Sequence, residues 1–293
     1  MEGKMYQSLA DLSRKAEEEK KEFWEVVLED DCRERQLSRE TSFGQMKAMY
    51  QAMKEADASY DPSLYSRSGL TGRDGGKMQR YVDRQETICG PFLGRVMEKA
   101  LKMGESNACM KRIVAAPTAG ACGVVPAVLL SMQETGGYSD DQMTRALYVA
   151  AGIGGVIASR AFISGAQGGC QAEVGSASSM AAGAAVFLKG GDAFAIVHSA
   201  AMAMKNLLGL VCDPVAGLVE VPCVKRNVAG AVVALSAADM ALAGIRSRIP
   251  PDEVIDAMRS VGQSMPACVR ETGEGGLAAT PAGERMKEYL TQG

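Results

Sequence analysis

The chain has 293 residues, 47% of them hydrophobic, enough for one large domain or two small ones with a sizeable core, so disorder and peptide-sized scaffolds are excluded. Its 32 Lys and Arg against 35 Asp and Glu give a net charge of −3, which leaves no basic field to hold a nucleic-acid backbone. The chain has 1 histidine, which excludes most mechanisms built on several His bases or His metal ligands unless another chain contributes.

The first residues are polar and charged, without a secretory signal pattern. With 8 cysteines, such a chain is expected in a reducing cytoplasm, its thiols serving as ligands, nucleophiles or inert core rather than disulfides. Residues 8–36 form a charged amphipathic segment with Leu9, Leu12, Ala16, Phe23 and Val27, read as a peripheral helix lying on the core. On this reading residues 1–60 are a peripheral N-terminal helical segment and residues 61–293 one continuous domain. Charge is concentrated up to about residue 112, whereas 113–245 is rich in Gly, Ala, Val and Met.

The uncharged stretch from Ile113 to Gln133 has the length of a bilayer span, but Pro117, Gly120, Gly123 and Pro126 interrupt it; it reads as a buried loop followed by a helix. Ser139-Asp-Asp-Gln142 is a capping box ahead of an apolar run, and Pro250-Pro-Asp-Glu253 opens a helix with Val254, Met258 and Val261 at helical spacing. Strand alternation bounded by tight turns is missing and aromatic residues are 5%. The expected fold is all-α, a single helical domain with Gly-rich loops around a site.

Cysteine is usually a small buried hydrophobe, and Cys32, Cys89, Cys109 and Cys122 fit that role. Cys170, Cys212 and Cys223 differ, because each lies in backbone shaped by Gly or Pro: Ser164-Gly-Ala-Gln-Gly-Gly-Cys170, then Cys212-Asp-Pro and Pro222-Cys223. Rigid turns around thiols suit a metal site, and soft thiolates favour zinc, copper(I) or iron-sulfur. No Cys-x-x-Cys pair or nearby His matches a zinc finger, and three thiolates would leave one corner of a cluster open. His198 lies in an apolar helical run and reads as a core or interface residue. Lys189 and Lys225 lack the setting of a pyridoxal-phosphate Schiff base.

These cysteine segments, together with Ser68-Gly-Leu-Thr-Gly-Arg-Asp74, Arg112 to Pro126 and Glu271 to Pro281, resemble the alpha chain of the iron-sulfur-dependent L-serine dehydratases over nearly the whole chain. The resemblance implies a helical catalytic domain holding a [4Fe-4S] cluster through Cys170, Cys212 and Cys223. It implies conversion of L-serine to pyruvate and ammonia by beta-elimination, within amino-acid degradation, with an open iron assisting departure of hydroxide. Ser68, Gly69, Thr71, Gly72, Thr118, Gly120 and Gln171 are then expected to bind substrate, their hydroxyls and backbone N–H groups meeting its charged ends. The implied partner is a separate beta chain, in an alpha-beta heterodimer or higher oligomer, and it could supply the base.

Two positions depart from the family pattern: Arg73 stands where many relatives have glycine, and Ala119 where some have asparagine. The chain ends at Gly293 without the terminal cysteine that can cap the cluster in some fused enzymes, and Cys268 is a weak substitute ligand. Three other readings compete: a related lyase acting on L-cysteine or L-threonine, a non-enzymatic iron-sulfur redox protein, and a helical scaffold with buried cysteines. Relative rates with the three amino acids separate the first, a complete set of protein ligands marks the second, and absence of iron marks the third.

Overall fold

The charge-poor middle of the chain, rich in Gly, Ala, Val and Met, forms the centre of the fold, in a computed structural model that describes residues 6–292. Gly293, the terminal residue discussed above, lies outside the described residues. The helices are α1 (Leu9–Glu18), α2 (Phe23–Arg35), α3 (Arg39–Ala58), α4 (Asp74–Asp83), α5 (Gly90–Ala108), α6 (Val124–Gly136) and α7 (Asp140–Arg160). There follow α8 (Gly165–Gly168), α9 (Ser176–Leu188), α10 (Ala193–Lys205), α11 (Cys223–Leu242), α12 (Pro251–Ser264) and α13 (Pro281–Gln292).

Helix α9 has no charged residue, and every side chain from Ser176 to Val186 is buried. A helix apolar all round must be enclosed, and α6, α7, α10 and α11 pack around this one. Small residues let these axes approach closely: Ser178 donates to the Gly230 carbonyl of α11, and Ser179 donates to Ala200 O of α10 at 2.9 Å. The outer layer is built on this core, with α2 and α3 against α7 and α1 against α10. Trp24, Phe43 and Tyr148 join it through ring contacts of 6.2–6.5 Å, each of a kind that contributes about 1 kcal/mol beyond burial.

Local signals act as the sequence suggests. Ser139 accepts from Gln142 N at 3.3 Å while Gln142 Oε1 accepts from Ser139 N at 2.9 Å, the reciprocal cap of α7. Pro251 starts α12, where a missing N–H leaves nothing unpaired, and Val254, Ile255 and Met258 are buried. Asp252 in that first turn also accepts from Leu9 N at 2.8 Å and Ala10 N at 3.0 Å, so its carboxylate caps α1.

Ile113 to Gln133 folds as a loop, a 3-10 turn at Ala119–Ala121 and the buried helix α6. No helix among the described residues is long and apolar enough to cross a membrane. The fold is all-α; among the described residues the extended pairing is one isolated parallel bridge, Cys212 with Arg270.

Candidate functional site

Three cysteine-bearing segments are held together by backbone bonds. Cys170 precedes a π-helical turn, Gln171–Gly175, which runs into α9. Gln171 N donates to Leu210 O at 2.9 Å, tying this turn to the loop that carries Cys212. Cys212 is gripped on both sides by the last motif: its N–H donates to Val269 O at 2.9 Å and its carbonyl accepts from Glu271 N at 2.7 Å. Cys223 opens α11 directly after Pro222. All three are buried, and all eight cysteines are free thiols.

The thiols lie within electrostatic reach of one another. Burial pushes Cys170 up to about 12, with Arg226 opposing and Glu173 and Cys223 adding to the rise. Burial, then Cys170, Glu173 and Cys223, pushes Cys212 above the ordinary thiol range. Cys223 is pushed up to about 11 by burial and Glu173, again with Arg226 opposing. Arg226 is the local cation; it pairs with Asp213 at 2.8 Å and donates to Val211 O at 2.7 Å. Such thiols stay protonated near neutral pH unless something of higher positive charge displaces the protons. They are soft donors able to take a metal. Among the described residues, no group of three or more His, Cys, Asp or Glu converges on a single-ion site.

Glu173 stands among these thiols. Its Oε1 accepts from Thr118 Oγ1 at 2.8 Å, and its Oε2 lies 4.0 Å from Cys212 Sγ. Burial raises its pKa, the Thr118 hydroxyl lowers it, and Glu271 adds to the rise. Two glycines give this carboxylate its space. A Cβ on Gly120 would stand 2.9 Å from Oε1, and one on Gly165 would stand 2.9 Å from Oε2 and 2.8 Å from Cys212 Sγ. Asn227 joins the Thr118–Gly123 turn to Cys223: its Oδ1 accepts from Gly123 N at 2.8 Å, and its Nδ2 donates to Gly120 O and Cys223 O at 2.9 Å.

The Ser68 loop is attached to the same region through Glu220. Its Oε2 accepts from Ser66 Oγ at 2.6 Å and Ser68 Oγ at 2.7 Å. Gly69 and Gly72 take positive φ, 74° and 149°, and Ser66 N donates to Thr71 O at 2.8 Å to close the turn. Thr71 is 2% exposed and its hydroxyl has no hydrogen-bond partner. Beyond the turn, Glu105 accepts from Asp74 N at 2.7 Å and Gly75 N at 3.0 Å, and Asp74 pairs with Lys225 of α11 at 2.7 Å.

The other expected residues are placed as follows. Gln171 is fully buried and both ends of its amide bind backbone: Nε2 donates to Met258 O and Oε1 accepts from Gly209 N, each at 2.9 Å. Its side chain therefore anchors the turn rather than pointing at a free space. Arg73 aims outward, its Nε donating to Ser63 O at 3.0 Å and its guanidinium 4.5 Å over the Tyr65 ring. Ala119 contributes a carbonyl that accepts from Asn107 Nδ2 at 3.3 Å. Cys268 is exposed. His198 is buried in α10, where its Nδ1 accepts from Ser247 N at 3.1 Å against the Phe194 ring.

Glu173, Glu220, Arg226, Asn227 and Glu271 were not singled out from the sequence. One signal was there for Glu173: it is the only charged residue between Arg160 and Lys189. A lone charge in so apolar a stretch needs a reason. Asn227 follows Cys223 by four residues, one helical turn on the same face.

The all-α fold is that of a chain belonging to the serine dehydratase alpha chain family, whose sequence profile matches residues 18–278. It is 46% identical over 289 residues to the probable L-serine dehydratase alpha chain of Bacillus subtilis, covering 99% of this chain and 96% of that one. It is 56% identical over 194 residues to the probable alpha chain of Latilactobacillus sakei, covering 66% of this chain and 93% of that one. With the L-serine dehydratase alpha chain of Peptoniphilus asaccharolyticus the identity is 45% over 214 residues, 73% of each chain.

Proposed function

We propose that the chain is the alpha subunit of a cytoplasmic L-serine dehydratase, working with a separate beta chain and a [4Fe-4S] cluster to give pyruvate and ammonia. The observation that supports this reading is that three buried thiols, Cys170, Cys212 and Cys223, lie within electrostatic reach of one another in a chain from this family. The donor set suits the group: three unpaired thiols are held by backbone, and a polynuclear cluster takes them on separate irons rather than at one point. When bound, the cluster supplies Lewis-acid assistance to loss of the serine hydroxyl as hydroxide.

In this reading Cys170, Cys212 and Cys223 hold the cluster, and Arg226 offsets their charge. Thr71, with its unpartnered hydroxyl, and the turns Ser68–Gly72 and Thr118–Gly120 bind and orient the amino acid. Gln171 fixes the turn that carries Cys170. His198 is committed to Ser247 N in α10, and the acceptor of the Cα proton belongs to the beta chain. Loss of that proton and of hydroxide gives aminoacrylate, which tautomerises and is hydrolysed to pyruvate and ammonia.

The test is the visible spectrum of the anaerobically reconstituted alpha-beta enzyme before and after L-serine, with pyruvate measured alongside. A broad iron-sulfur band that L-serine perturbs, with pyruvate formed, is expected. A colourless, iron-free protein would overturn the cluster, and faster turnover of L-cysteine or L-threonine would overturn the substrate.

A further inference from the structure

We propose that Glu173 is the residue that recognises the substrate's α-ammonium group, an inference that rests on the serine dehydratase reading and assigns a role within it. An α-amino acid brings one cation into the site, and a cation that leaves water needs an anion to meet it. Glu173 lies among the thiols, beside the Thr118–Gly120 turn.

Its partners leave it incompletely satisfied. Thr118 donates one hydrogen bond to Oε1, and Cys212 Sγ stands at 4.0 Å from Oε2, a weak contact. Among the described residues Glu173 has no Lys, Arg or His partner. Glu173 is half-buried, and the fully buried acids near it are matched: Asp213 by Arg226, Glu105 by two backbone N–H groups and the Tyr60 hydroxyl, Glu220 by two serine hydroxyls. Arg226, whose charge is felt at Cys170 and Cys223, is already paired with Asp213 and Val211 O.

The walls agree with a ligand-facing carboxylate. Both flanking positions are glycine, and a Cβ on either Gly120 or Gly165 would press on its oxygens at 2.9 Å. If Glu173 served only to hold Thr118, the Oε2 side would not need bare backbone. Glu271 lies near enough for its charge to be felt at Glu173, and a second carboxylate raises the preference of this corner for a cation.

The experiment uses the anaerobically reconstituted alpha-beta enzyme and two unreactive ligands, L-alanine and propionate, which differ by the ammonium group. Calorimetric dissociation constants give the wild-type preference for L-alanine. In Glu173→Gln, which keeps the shape and an oxygen for Thr118, that preference is expected to fall about 10- to 100-fold, with KM for L-serine rising more than kcat falls. Iron and sulfide per chain are expected to match the wild type. An unchanged preference would overturn the proposal, and so would loss of iron from a folded Glu173→Gln, which would assign the carboxylate to the metal. If that variant does not fold, Glu173→Asp takes its place; a preference weakened about tenfold is expected, and an unchanged one overturns the proposal. A wild-type enzyme that forms no pyruvate from L-serine rejects the dehydratase reading itself, a different failure.

Discussion

Gly165 lies so close to Cys212 that a Cβ there would stand 2.8 Å from the sulfur and 2.9 Å from Glu173 Oε2. The Glu173 carboxylate can swing aside, but the sulfur cannot, because Cys212 is short and its backbone is bonded on both sides to Val269 and Glu271. Gly165→Ala is therefore expected to displace the thiol and lose most bound iron and more than 90% of activity, while overpacking costs about 1–3 kcal/mol of stability. Iron analysis beside thermal melting checks this; full iron content in the alanine variant would show that the thiol has room to move.

Replacing Cys170, Cys212 or Cys223 by alanine is expected to abolish both iron binding and activity in each case. Cys89→Ala is the control, since Cys89 is exposed at the start of α5 and touches none of the site. Its iron content and rate should match the wild type. An active, iron-free Cys212→Ala protein would sink the cluster mechanism.

Thr71 gives a prediction in which stability and activity part company. Its hydroxyl is buried without a partner, an arrangement that costs about 1–3 kcal/mol relative to a methyl group of the same shape. Thr71→Val is expected to leave the urea midpoint unchanged or raised, and to raise KM for L-serine about tenfold by removing a hydroxyl that the substrate uses. Unaltered kinetics with higher stability would take Thr71 out of the substrate's reach.

His198 makes stability depend on pH. Burial, then Arg246 and Lys205, hold its pKa below the ordinary 6.5, and its Nδ1 must stay unprotonated to accept from Ser247 N. The unfolded chain takes up a proton near 6.5 that the folded chain resists, so stability is full above that pH and falls as the pH drops below it. The loss is at most about 1.4 kcal/mol per pH unit from this group. His198→Asn, which cannot be protonated and offers an oxygen at the same place, is expected to flatten the decline of the urea midpoint between pH 6.5 and 5. An identical slope in the variant would assign the pH dependence elsewhere.

What could be read from the sequence divides by distance along the chain. The Ser139–Gln142 cap and the start of α12 depend on residues within a turn of one another, and they form as local rules require. The core was legible in the Gly, Ala, Val and Met excess of residues 113–245, within which α9 is buried. The site is harder: Thr118 meets Glu173 across 55 residues and Ser66 meets Glu220 across 154, pairings that no spacing rule announces. The cysteines drew notice through their glycines and prolines, but the carboxylate among them did not. The resemblance put Gln171 at the substrate; only the fold shows its amide turned to Met258 and Gly209.

The π-helical turn at Gln171–Gly175 spends one residue more than an α-helical turn requires. Deleting one residue there would let the helix close to α geometry with little net rotation between Cys170 and α9, since five π-helical and four α-helical residues each make about one turn, but the side chains inside the turn, Glu173 among them, would be re-aimed. The aim of that carboxylate is thus stored as a count of residues as well as in its own side chain. Surface loops of this protein can absorb insertions and deletions, whereas here the loss of a single codon would leave composition and hydrophobicity almost untouched and turn Glu173 away from Thr118.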